Sequence, residues 1–342
     1  MIRSTEASKN VPKYLFRMWD AKSGGNSNLN TTRTITPLAF ASSQGHKSVY
    51  DMTLSELIRN TSGHLAGGTN IRTEFSSWSH SPYFAFQFAQ QRSQSGTVHV
   101  AIIDTKELAK TNPAFHVPVL CKIIGTPDRY EEEYLVHGVI EGQFYRAVAY
   151  RKLCDLGLLK QLPGLIKYGI DAFDTWAIRA LPGDSVDYTI DELCQLRKIA
   201  LPYGDYFSLP MAIVLFCCKK RPGYWSKISS SDLDTIIKVP GGWNEIPLDW
   251  ASSRSLFSKN IYPAKWEANK QVQNLMHALY THCYGKGARG NEARYTARIK
   301  ADDEDDITGA MASMSVGGDD TDEDTAGQKA KKMPRKPAQK RV

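Results

Sequence analysis

Two-residue alternation inside three short segments constrains this chain more than any other feature of it. The segments are Tyr14-Leu-Phe-Arg17, Phe75-Ser-Ser-Trp-Ser79 and Glu131-Glu-Glu133-Tyr-Leu-Val136. Each reads as a strand, and in a strand residues two apart share a face. Ser77 and Ser79 therefore point one way and Trp78 the other. Glu131 and Glu133 share a face, with Glu132 opposite. Tyr134-Leu-Val136 is a β-favouring run suited to a buried strand. Two carboxylates at its mouth repel each other and raise at least one pKa unless a cation relieves them, which marks a functional site. Arg17 closes an apolar run, so its guanidinium is expected to enter the protein or a cleft and to need an anionic partner.

An arginine strand, a serine strand and a glutamate strand, in that order, resemble the arginine–serine–glutamate class of mono-ADP-ribosyltransferases. The A subunits of cholera toxin and heat-labile enterotoxin typify that class. The closest stretch is Tyr130 to Tyr145. There Gly138 and Ile140 stand five and seven residues after Glu133, as in the family's pattern. Ser77-Trp78-Ser79 matches the Ser-x-Ser element, Ser81-Pro82 to Gln91 the helix after it, and Arg17 the first-strand arginine. The resemblance covers roughly residues 11–153 and extends to uncharacterised domains common in fungal proteins. It implies a two-sheet α+β domain that takes NAD as substrate, either transferring ADP-ribose to a protein or hydrolysing NAD. It makes Glu133 and Glu131 the catalytic pair and Arg17, Ser77 and Ser79 the NAD-holding residues. Glu-x-Glu versions of the family favour arginine acceptors. Two features depart from the pattern: Trp78 replaces a small residue, and a long Gly/Ser/Asn/Thr-rich insertion, Lys22 to Ser43, follows the first strand.

Composition is compatible with this reading. A chain of 342 residues, 42% of them hydrophobic, can bury a substantial core. The first ten residues have no apolar stretch of the kind a secretory signal needs, and the longest apolar run, Met211 to Cys218, is too short to span a bilayer. Cysteines at 121, 154, 194, 217, 218 and 283 form no Cys-x-x-Cys pair, which fits reduced thiols and a cytoplasmic or nuclear protein. No His-Glu-x-x-His and no paired-cysteine set appears, so no metal site is expected. Neither Gly-x-Gly-x-x-Gly nor Gly-x-Ser-x-Gly is present, which leaves a Rossmann site or a serine-hydrolase elbow unsupported.

Four regions are expected. Residues 1–10 form a flexible start, 11–153 the ADP-ribosyltransferase-like domain, 154–295 a mainly α-helical domain, and 296–342 a disordered tail. In the first domain, Thr53-Leu-Ser-Glu56 is a capping box for a short helix, with His64 in a turn region after it. Ser81 caps the helix Tyr83–Gln91, with Pro82 at its first position. Thr97 to Ile103 and Gln143 to Tyr150 read as strands. In the second domain, Val272, Leu275, Met276, Leu279, Tyr280 and Cys283 form one stripe of a helix from Ala264 to Tyr284. Met211 to Cys218 is a buried segment whose periodicity does not separate helix from strand. Tryptophans at 176, 225, 243, 250 and 266 are assigned to the core. Residues 301–342 hold ten acidic and seven basic residues, which leaves the first 300 residues at +10. The basic end of the tail suits nuclear import or nucleic acid.

Two further function classes stay open at this level. One is a catalytically inactive interaction module on the same fold; the other is a nucleic-acid binder using the basic body or tail. Trp78 or the Lys22–Ser43 insertion filling the cleft would favour the module.

Overall fold

A computed structural model describes residues 11–24, 26–41, 46–67, 72–109, 111–126, 132–167, 189–218, 230–239 and 267–284. The first ten residues, Glu131, the five tryptophans assigned to the second half and the tail lie outside the described residues.

Among the described residues eight strands form two sheets. They are β1 (Tyr14–Asp20), β2 (Thr34–Ile35), β3 (Phe75–Ser79), β4 (Val98–Asp104), β5 (Ala114–His116), β6 (Glu133–His137), β7 (Ile140–Glu141) and β8 (Tyr145–Ala149). Six of them make one antiparallel sheet in the order β5-β6-β3-β1-β4-β8, and β2 pairs with β7. β1 pairs with β4 along its whole length, from Tyr14↔Asp104 to Asp20↔Val98. β3 pairs with β6 along its whole length, from Phe75↔His137 to Ser79↔Glu133. Between β1 and β3 the register holds the single pair Phe16↔Ser79. The larger sheet is thus two three-stranded halves joined at one residue pair.

Among the described residues seven helices have eight or more residues: α1 (Leu54–Leu65), α2 (Pro82–Arg92), α3 (Val117–Ile124), α4 (Ile190–Ala200), α5 (Asp205–Cys218), α6 (Ser230–Ile237) and α7 (Glu267–Tyr284). The capping box opens α1 as the sequence predicts: the Glu56 side chain accepts from the Thr53 N–H while Thr53 Oγ1 accepts from the Glu56 N–H. The helix is not short, however. Leu57 and Thr61 continue a buried stripe and carry it to Leu65. Ser81 accepts from the Phe84 N–H and opens α2 with Pro82 in its first turn.

Three cores hold these elements. Phe16, Val100, Ile102 and Val148 on one sheet face pack with α2, α4, α5 and α7 through Phe86, Leu196, Val214 and Leu275. Leu15, Trp19, Ala101 and Tyr145 on the opposite face pack with Ile35 and Trp78. Phe75, Phe115 and Leu135 pack with α1 and α3 through Leu57 and Leu120. The described residues fall in one compact unit. α5 resolves the Met211–Cys218 ambiguity in favour of helix. Phe207 to Cys218 is buried without a break, and a helix enclosed on all sides carries no amphipathic period. Among the described residues no helix is long and apolar enough to cross a membrane.

Polar ties lock the layers. Lys13 Nζ lies 2.6 Å from Asp104 Oδ2, with both side chains buried, and the Tyr206 hydroxyl donates to the same oxygen at 2.7 Å. That triad joins the start of β1, the end of β4 and the first turn of α5. Asn112 Nδ2 donates to the carbonyls of His137 and Val139 and approaches Gly138 so closely that a β-carbon there would stand 2.7 Å from it. Gly138 also has a φ of +91°, which a side chain would strain.

Because α5 and the sheet share one core, Phe207→Ala is expected to destabilise the whole unit. The Phe207 ring meets Tyr14 of β1 edge-on at 6.3 Å, and such truncations cost about 3–5 kcal/mol. Denaturant unfolding followed by both far-UV circular dichroism and tryptophan fluorescence should move as one transition. A helix signal that melts separately from the fluorescence signal would show that the layers are independent.

Candidate active site at the sheet junction

The junction of β1 and β3 gathers Arg17, Ser77 and Glu133. Next to the Phe16↔Ser79 pair the ladder stops, and the Ser77 carbonyl is left to a side chain. Arg17 Nη1 donates to it at 2.9 Å, so a buried acceptor is satisfied by a guanidinium. Glu133 is the first residue of β6. Ser77 faces Leu135 in the register, so Glu133 lies two residues away along the same face. The Ser77 hydroxyl and the Arg17 charge are near enough to its carboxylate to favour the ionised form.

His64 completes the cluster. Its Nε2 lies 2.8 Å from Ser77 Oγ and its Nδ1 lies 2.8 Å from Thr73 Oγ1. It sits in the last turn of α1, where the helix dipole favours a cation. Desolvation and the neighbouring Arg17 outweigh that effect and hold its pKa down, from 6.5 to about 4. At neutral pH it is an uncharged imidazole. Glu133 shifts the other way: burial raises its pKa, against the hydrogen bond from Ser77 and the attraction of Arg17. Burial also lowers the Arg17 pKa, and Tyr145 and Glu133 oppose that shift.

The other sequence-predicted residues divide. Ser79 Oγ accepts from the Ser81 N–H at 3.0 Å, so it builds the corner into α2. Trp78 lies on the opposite strand face, 2% exposed, with Nε1 donating to Ser76 Oγ and its ring edge-on to Tyr145. It is a core residue and not a plug beside Ser77. The described part of the insertion packs Ile35 into that same core, and its Thr31 carbonyl accepts from the Tyr145 hydroxyl. Glu131 lies outside the described residues. Glu132 lies in a turn, its carbonyl accepting from the His80 N–H, and β6 begins at Glu133.

Sequence reasoning missed His64 and Thr73. The available signal was the α1 stripe, which runs on through Leu57, Thr61 and Leu65 and brings His64 into the helix. Beside the cluster lies a cavity of about 220 Å³, lined by Lys47, Glu56, Arg59, Asn60, Arg72 and Glu74 among others. Asn60 precedes His64 by one helical turn and Glu74 precedes Ser77 by three strand residues. Arg17, Ser77 and Glu133 do not line it.

The depressed His64 pKa has a consequence for stability. Unfolded His64 takes its proton near pH 6.5, whereas folded His64 refuses it until about pH 4. Between those values the unfolded state binds more protons, so the His64 contribution is present above pH 6.5 and lost as pH falls towards 4. Glu133, with its raised pKa, contributes in the opposite sense, and its term is common to wild type and variant. The stability loss from pH 6.5 to 4 should therefore be smaller in His64→Gln than in wild type. Urea titrations of both proteins across that range measure the difference, and equal losses would mean that His64 protonates freely in the folded state.

Residues 10–144 match a family described as a domain of unknown function, DUF7587. That span contains Arg17, His64, Thr73, Ser77 and Glu133 and stops one residue before β8. No curated protein matches the chain, and no solved structure matches it.

Proposed function

We propose that this chain is an NAD-dependent mono-ADP-ribosyltransferase that transfers ADP-ribose to a protein acceptor, with NAD hydrolysis as the same reaction run to water. One observation carries the reading. Arg17, Ser77 and Glu133, on three different strands, meet at the single-pair junction of the sheet. A cation, a hydroxyl and a desolvated carboxylate are the groups needed to hold a diphosphate-linked ribose and to break its bond to nicotinamide.

The bond that breaks joins the ribose anomeric carbon to the nicotinamide nitrogen. Its electron pair leaves with nicotinamide, which departs neutral. Positive charge develops on the anomeric carbon and ring oxygen, as in glycoside hydrolysis. Glu133 accepts a hydrogen bond from a ribose hydroxyl and stabilises that charge, more strongly in the transition state than in the ground state. Arg17 holds the diphosphate or the adjoining ribose by charge-assisted hydrogen bonds. Ser77 supports both Glu133 and the ribose, and Ser79 keeps the strand-to-helix corner. Water or an acceptor guanidinium nitrogen then attacks the anomeric carbon, and Glu131 orients the acceptor and takes the proton it loses.

One observation favours a second reading, an inactive interaction module. Arg17 Nη1 is already engaged by the Ser77 carbonyl, and the described cavity lies beside the triad rather than over it. The same experiment separates the two readings.

Incubation with labelled NAD, following nicotinamide release and label on protein together, tests the proposal. Glu133→Gln should lower nicotinamide release by about 10²–10⁴ with NAD affinity little changed, since the loss falls on the transition state. Glu131→Gln should abolish transfer and leave hydrolysis largely in place. Glu132→Gln should be nearly neutral. Failure of the folded wild-type protein to release nicotinamide would discard the transferase and leave the module.

A further inference from the structure

The cavity beside the junction is lined by charges that do not cancel. Lys47, Arg59 and Arg72 line it together with Glu56 and Glu74, so three cations face two carboxylates. One pair is already spent. Lys47 Nζ lies 2.7 Å from Glu56 Oε1, and Glu56 Oε2 accepts from the Thr53 N–H and hydroxyl in the capping box of α1. Glu74 is left with two arginines. It is 5% exposed, and Asn60 Nδ2 donates to its Oε2 at 2.8 Å. Burial raises its pKa, and the charge of Arg59 opposes that shift. Arg59 closes no ion pair with it, and the Arg72 side chain makes no ion pair or hydrogen bond among the described residues. A buried carboxylate is costly unless it is paired. Two long, flexible arginines could close that pair, yet all three groups line the same open volume of about 220 Å³.

We propose that this cavity is a second binding site, separate from Arg17, Ser77 and Glu133, for a small phosphorylated sugar: Arg59 and Arg72 take the phosphate, and Glu74, held by Asn60, takes the hydroxyls. The lining selects this class by elimination. A bare cation is repelled by two arginines that no carboxylate neutralises. A bare oxyanion meets the arginines but sets its charge against Glu74. A ligand with an oxyanion at one end and hydroxyl donors at the other satisfies both sides. Guanidinium groups match phosphate oxygens with paired N–H donors. A carboxylate accepts hydrogen bonds from the hydroxyls of a polyol. Size narrows the class further. A volume of about 220 Å³ falls below the roughly 300–1,000 Å³ of pockets for drug-sized ligands, which suits a pentose or hexose phosphate and not a whole dinucleotide. This site is independent of the NAD reaction proposed above, whose residues do not line it.

The test is isothermal titration calorimetry on the full chain at fixed ionic strength, with ribose 5-phosphate, inorganic phosphate and ribose as titrants. Ribose 5-phosphate should bind about tenfold or more tightly than either fragment. Arg72→Ala should weaken it by about tenfold or more, the loss expected when a charge-assisted hydrogen bond is removed. Arg151→Ala, at an exposed arginine on the helix that follows β8, should change nothing. Glu74→Gln carries a sign. It removes the charge that opposes an oxyanion, so inorganic phosphate should bind more tightly. It also removes the charged acceptor, so ribose 5-phosphate should lose its advantage over phosphate. Glutamine can still accept from Asn60; if the variant nonetheless does not fold, Arg59→Ala takes its place and should weaken ribose 5-phosphate as Arg72→Ala does. Saturating NAD, which has no terminal phosphate, should leave the titration unchanged. No binding of ribose 5-phosphate at millimolar concentration, equal weakening by Arg151→Ala, or displacement by NAD would each overturn the second site. Failure of the wild type to release nicotinamide would discard the NAD reaction alone, and these titrations would still decide the cavity.

Discussion

The break between β1 and β3 is the constraint on which the rest of the site depends. Two long ladders run up to it from either side. Seven pairs fix β1 to β4, and five fix β3 to β6. Each ladder is backed by its own core, so each half is rigid up to the one pair where they meet. A full ladder across the junction would consume the Ser77 carbonyl in backbone pairing. Because the ladder stops, that carbonyl takes Arg17, and the guanidinium is drawn to within electrostatic range of Glu133 and His64. The backbone thus sets the placement of the three groups before any side-chain choice is made.

Charge in this cluster is arranged as one strong cation working on two titratable neighbours. Arg17 remains positive, since burial lowers its pKa from a value far above neutrality. It pulls Glu133 towards the ionised form and pushes His64 towards the neutral one. Desolvation helps it at His64 and opposes it at Glu133. The outcome is a neutral imidazole near a carboxylate whose pKa burial raises. A protonated His64 would compete for the Glu133 charge, which in the proposed reaction stabilises a ribosyl cation. Keeping the imidazole neutral leaves the carboxylate available.

Much of the fold was legible because local periodicity reported it. Alternation at 14–17, 75–79 and 134–136 gave β1, β3 and β6, while the grouping of Arg17, Ser77 and Glu133 was an implication of the family resemblance. Ser81-Pro82 and the Thr53–Glu56 box gave two helix starts through capping chemistry. Three things escaped for physical reasons. α1 runs to Leu65 through Gly63 because its buried stripe outweighs the cost of a helical glycine of about 1 kcal/mol. His64 was therefore assigned to a turn, and no local pattern links it to Ser77 across a loop. α5 has no polar face, so its period was invisible. The start of β6 was set early because consecutive glutamates look alike in sequence, whereas Glu132 lies in a turn and Glu133 finds a strand partner in Ser79.

The residues that carry the family resemblance are of two kinds, and they weigh differently. Gly138 is demanded by its positive φ and by the Asn112 side chain that reaches across it. Ile140 pairs with Ile35 and is buried with Trp19 and Trp78. Those two follow from how β6 turns into β7 and would be needed in a protein with no chemistry at all. Glu133 is different. Its carboxylate is desolvated enough to raise its pKa, which means that the folded protein is working against the charge. An apolar side chain at the same strand start would remove that penalty, whereas removing Arg17 would leave the Ser77 carbonyl without its donor. Arg17 thus has a structural reason to be there, and Glu133 has none in packing. The case for a function at this junction therefore rests on the carboxylate that burial works against, placed beside Arg17 at a gap in the ladder.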